Sequence, residues 1–88
     1  MASRLMSLNG YENQLIRYNL KSREDFKEII TKALDLIAPE RDLAEILSTS
    51  RTTVDRWKNG NVAPSVLGRK AIIRELRKRV SYDITDSA

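Results

Sequence analysis

Apolar residues recur along most of this chain at intervals of three and four, the period of helices with one buried side. The clearest run is Phe26, Ile29, Ile30, Ala33, Leu34 and Ile37, with Lys27, Glu28, Lys32 and Asp35 on the other faces. Ser22, followed three residues later by Asp25, supplies an N-cap and a capping partner for that helix. Ala38-Pro39 ends it, because a residue before proline is pushed out of the helical region, and Pro39 suits the first position of the next helix. Leu43, Ala44 and Leu47 then give residues 40–47 a short apolar face. Ser48-Thr49-Ser50 breaks the pattern. Ser50 can cap a further helix, Arg51–Asn59, which stops at Gly60 in the left-handed position that glycine favours.

The two ends are less regular. Leu5, Leu8, Tyr11, Leu15 and Tyr18 fit one helical stripe, but Asn9-Gly10 interrupts it and is itself a strong hairpin signal. The expectation is a short helix over about 11–20 with a loose arm before it. After a loop at 61–64, a last helix begins near Ser65, with Val66, Ala71, Ile72, Ile73, Leu76 and Val80 at its apolar positions. Residues 82–88 are polar and acidic and read as a frayed tail. The pattern therefore predicts an all-α domain of four to five helices. Residues 1–21 form an N-terminal extension for an arm or dimer contact, 22–80 the domain itself, and 81–88 the tail.

Composition narrows the chemistry. A chain of 88 residues supports a single core. It contains no cysteine and no histidine, which removes thiolate and imidazole ligands, thiol nucleophiles and the usual neutral-pH proton shuttle. The reading is accordingly not an enzyme, with no cofactor, no metal and no evident small-molecule ligand. No apolar run is long enough to span a bilayer, and the N-terminus lacks a signal-peptide core, so the expected location is the cytoplasm, in association with the nucleoid. Charge is unevenly placed. Between Arg51 and Arg79, nine Lys or Arg stand against two acids, Asp55 and Glu75, while the rest of the chain has seven bases and ten acids. Such local concentration favours a polyanionic partner.

Helix 51–59 sits at the start of this basic segment and has two faces. At about 100° per residue, Val54 and Trp57 lie together, and Thr52, Arg56 and Asn59 lie opposite, flanked by Arg51 and Asp55. Arginine, asparagine, aspartate and threonine are the side chains that hydrogen-bond base edges in the major groove.

The stretch PERDLAEILSTSRTTVDRWKNG resembles the helix-turn-helix of the lambda-repressor and Cro superfamily, the xenobiotic-response-element-like regulators. Ala44 stands at the small position in the middle of that motif's first helix. Leu47 is its apolar residue before the turn, Val54 and Trp57 are the anchors of the second helix, and Trp57-Lys58-Asn59-Gly60…Pro64-Ser65 is its tail. The family's turn begins with glycine and an apolar residue, where this chain has Ser48 and Thr49. The resemblance covers about 26–80. It implies a compact lambda-repressor-like domain whose second helix enters the major groove with its N-terminal residues against bases. Carried over by position, Arg51, Thr52, Asp55 and Arg56 are base readers. Ser50 and Asn59 contact bases or phosphates, and Lys58, Arg69, Lys70 and Arg74 clamp phosphates.

The implied function is sequence-specific binding of double-stranded DNA by a transcriptional repressor, a homodimer on a pseudo-palindromic operator, of a kind found in phages and mobile elements. The alternative is a protein-interaction module on the same fold, an antitoxin, anti-repressor or polymerase-binding adaptor. Two assignments stay open on sequence alone. Arg51 and Asp55, four apart, suit an intrahelical ion pair as well as base reading. The RELRKR run at 74–79 suits a solvated face as well as a DNA contact.

Overall fold

The computed structural model describes residues 4–87; the first three residues of the expected arm, and Ala88 of the expected tail, lie outside them. The described residues form five α-helices and no strand: α1 Arg4–Arg17, α2 Arg23–Leu36, α3 Glu40–Ile46, α4 Arg51–Asn59 and α5 Val66–Ser87. Local signals place the three middle helices. Ser22 accepts a hydrogen bond from the Asp25 amide, and Ser50 accepts one from the Thr53 amide, so each hydroxyl satisfies a donor that the first turn leaves without a partner. Pro39 is the cap of α3 rather than its first residue, one position earlier than expected.

The turn between α3 and α4 closes on the backbone alone. Ser48 takes a left-handed φ of 55°, so its amide reaches the Glu45 carbonyl and the Thr49 amide reaches the Ala44 carbonyl. Gly60 closes α4 in the same way, at φ 78°, with its own amide on Trp57 and that of Asn61 on Arg56. These are paired helix-ending bonds around one left-handed residue. Glycine adopts that conformation freely, whereas serine does so at a cost of about 1 kcal/mol.

The ends of the chain depart from expectation. α1 starts seven residues earlier than predicted and runs through Asn9-Gly10, because Leu8, Tyr11 and Leu15 are all buried and a hairpin would withdraw Leu8 from the core. It also ends earlier. Tyr18 lies beyond its last turn and donates its hydroxyl proton to the Ser22 carbonyl at 2.6 Å. α5 continues through the expected tail, since Ile84 packs against the core and Asp83, itself buried, pairs with Arg79 at 3.3 Å. Within α5, Val66 and Ala71 are exposed. The inward face is instead Arg69, Ile72, Ile73, Leu76, Val80 and Asp83.

One core joins all five helices. Leu8, Tyr11 and Leu15 of α1 share it with Phe26, Ile29, Ile30 and Ala33 of α2, Leu43 and Ala44 of α3, Val54 and Trp57 of α4, and the aliphatic face of α5. Leu8, Tyr11 and Leu15 of the N-terminal extension and the aliphatic inward face of the last helix are thus spent inside one chain, while Met6, Ile16, Val66, Leu67 and Tyr82 stay exposed. α4 rests on α2 and α3, while α5 rests mainly on α1.

Candidate nucleic-acid interface

α4 is held by its two apolar residues. Val54 is fully buried, and Trp57 meets Phe26 edge-on with ring centroids 5.6 Å apart. Arg51, Thr52, Arg56 and Asn59 all face solvent, as does Ser50 at the cap, and Asp55 is half-exposed. The residues expected to read bases therefore do share one outward side of α4.

Their charges are organised by a residue to which sequence assigned no role. Glu40, in the first turn of α3, lies 3.2 Å from the Lys58 ammonium and 3.6 Å from Nε of Arg51. Lys58 also pairs with Asp55 at 3.3 Å, and Asn59 donates to the other oxygen of Asp55 at 3.3 Å. The hydrogen bond that Lys58 donates to Glu40, and then the one it donates to Asp55, holds its pKa above the ordinary lysine value. The intrahelical pair of Arg51 with Asp55 does not form: Arg51 turns to Glu40 and Asp55 to Lys58. Lys58 is consequently engaged by two carboxylates rather than standing ready as a phosphate clamp. Thr52 and Arg56 enter none of these interactions among the described residues, which leaves the Arg56 guanidinium without a carboxylate partner.

Of the remaining clamps, Arg69 is a correction. Only 6% exposed, it donates from Nε to the Leu20 carbonyl at 2.7 Å and from a terminal nitrogen to the Pro64 carbonyl at 2.6 Å. It ties the α1–α2 linker to the loop before α5 and has no access to a phosphate. Lys70 and Arg74 are exposed on α5, which packs mainly on α1. Among the described residues there is no group of three acids placed to hold a metal ion, and no helix is long and apolar enough to cross a membrane.

No family model, curated protein or solved structure matches this chain. Its chemistry rests on the geometry alone. That geometry offers a short helix seated by Val54 and Trp57, a polar outer face with one unpaired guanidinium, and a network that joins Arg51, Asp55, Lys58 and Asn59 through Glu40. Glu40 carries no periodic signal that could have marked it, because its partners lie on another helix. Lys27 was equally hidden: its side chain crosses Gly60, with Cδ 3.1 Å from where a Cβ would stand.

Proposed function

We propose that this chain is a double-stranded DNA-binding regulator, a repressor with a lambda-repressor-like helix-turn-helix formed by α3 and α4. The observation that carries the reading is the outward side of α4, where Arg51, Thr52, Asp55 and Arg56 stand together on a helix anchored by two buried residues. A nine-residue helix so anchored can enter a major groove about 12 Å wide without disturbing the core. Arg56 suits a bidentate contact to guanine. Asp55, steadied by Lys58 and Asn59, suits acceptance from a cytosine amine.

A homodimer on a pseudo-palindromic site is part of the reading, with half-site centres about 10–10.5 bp apart or a multiple of that. Val62, Val66 and Leu67 are the exposed apolar residues nearest in sequence to α4 and available for it. A cytoplasmic, nucleoid-associated location follows from the ligand.

The test is selection of bound fragments from random duplex, repeated with Arg56→Ala. A common sequence should emerge for the wild type. The variant should lose about 1–3 kcal/mol on it and much less on random DNA. Failure of any common sequence to emerge counts against the reading and favours a protein-interaction module on the same fold, with the basic surface meeting an acidic protein.

A further inference from the structure

α5 carries a second concentration of positive charge, on its solvent side. Lys70, Arg74, Arg77 and Lys78 are exposed and fall within an arc of about 100° over about 12 Å of helix. Ser81 lies in the same arc. Lys78 pairs with Glu75 at 3.5 Å, both well exposed, whereas Lys70, Arg74 and Arg77 make no ion pair among the described residues. A groove of about 350 Å³, lined by Glu12, Arg74, Arg77, Lys78 and Ser81, follows the stripe where α1 meets α5.

Charge and composition decide what could lie there. Another copy of the chain docking through this face by a two-fold axis would set the same four cations against themselves. A protein partner is poorly served as well. Interface cores are depleted of charge and of lysine in particular, and this stripe has no large apolar anchor within it, Leu67 and Tyr82 being exposed only at its ends. Lysine, arginine and a serine hydroxyl are, however, the groups that contact phosphate oxygens. Along 12 Å, one strand of a duplex offers roughly three to four phosphates.

α4 and α5 are also not packed extensively on each other, since α4 is carried by α2 and α3 and α5 mainly by α1. We infer that the α5 stripe is a second, sequence-independent nucleic-acid face, which binds the backbone of a duplex segment other than the one read by α4. One molecule would then hold two segments together. The inference rests on the proposed reading of α4.

The experiment measures bridging. Beads carrying a random duplex are loaded with protein, and a labelled random duplex is added at 50 mM salt; the label captured per bound protein is compared with beads alone. Wild type should capture label, and capture should fall about 40-fold between 50 and 200 mM salt if three phosphates are neutralised. The triple variant Arg74→Gln, Arg77→Gln, Lys78→Gln should load the beads within about 3-fold of wild type but lose capture 10-fold or more. Its sites are exposed, and a circular-dichroism spectrum identical to wild type verifies the fold. Arg56→Ala should retain capture. No capture by wild type, or equal capture by the triple variant, overturns the inference. So does a 10-fold loss in bead loading by the triple variant, which would place the stripe in the footprint of the first duplex. Capture of labelled polyglutamate but not duplex would assign the stripe to an acidic protein and likewise overturn it. A selection that yields no common sequence counts against the α4 reading, whereas the capture arms, run on random duplex throughout, bear on α5.

Discussion

The Glu40 carboxylate lies 3.2 Å from the Lys58 ammonium, which joins the first turn of α3 to the last turn of α4. Arg51 approaches the second oxygen of the same carboxylate at 3.6 Å. One acid thereby sets the resting place of Arg51, proposed above to read bases. Glu40→Gln should broaden the base preference at the position Arg51 reads while that at the Arg56 position stays fixed. Because both pairs are solvated, the stability of the fold should barely change. Fragment selection repeated with the variant measures the first effect. An unchanged preference at every position would deny Glu40 this role.

Arg69→Met should cost about 2–4 kcal/mol in urea unfolding. It strips a charged donor from the Leu20 and Pro64 carbonyls in a nearly closed environment. Arg69→Lys should recover only part of this, as a single ammonium does not reproduce the planar fork that reaches both carbonyls. A loss below about 0.5 kcal/mol for Arg69→Met would mean that water replaces the guanidinium there.

Alkaline pH should destabilise the fold through Tyr11. Burial raises its pKa well above the ordinary 10.0, so the unfolded chain loses the phenolic proton first. Stability is therefore fully present below pH 10 and declines as pH climbs past it, by about 1 kcal/mol at pH 11. Lys58, also raised, acts in the same direction above its ordinary 10.5. Tyr11→Phe should flatten this decline. At neutral pH it should cost about 0.5–1.5 kcal/mol, since the hydroxyl donates to the buried Ile29 carbonyl at 2.8 Å. Denaturation curves at pH 8 and pH 11 for both proteins decide it.

Ser48→Gly should stabilise the protein by about 0.5–1 kcal/mol, by relieving the left-handed strain at the α3–α4 turn. Gly60→Ala should do the reverse by about 1 kcal/mol or more, as φ is 78° and the new Cβ would press on Lys27. For a chain of this size, 1 kcal/mol corresponds to about 4–8 °C in Tm. Shifts of the same sign would mean that the two turns are not governed by backbone conformation.

The middle of the fold was legible because its boundaries are written locally. Ser22, Pro39, Ser50 and Gly60 each act within a few residues, and the anchors Val54 and Trp57 follow from spacing. The exposed side of α4 followed from the same spacing. What sequence misjudged depends on distant partners. Asn9-Gly10 signals a hairpin, but the burial of Leu8 against the rest of the core outweighs it. Residues 82–87 look like a tail until Ile84 and Asp83 find their places. Arg69 has a surface residue's chemistry, and only the two carbonyls that converge on it explain its burial. Glu40 and Lys58 are 18 residues apart, beyond any helical period.

The edge-on contact of Trp57 with Phe26 places the chain's single indole at the base of α4. Its emission is thus an intrinsic, label-free reporter of how that helix is seated. Any ligand that shifts α4 should alter its intensity or wavelength, whereas one bound on α5 alone should leave both nearly constant.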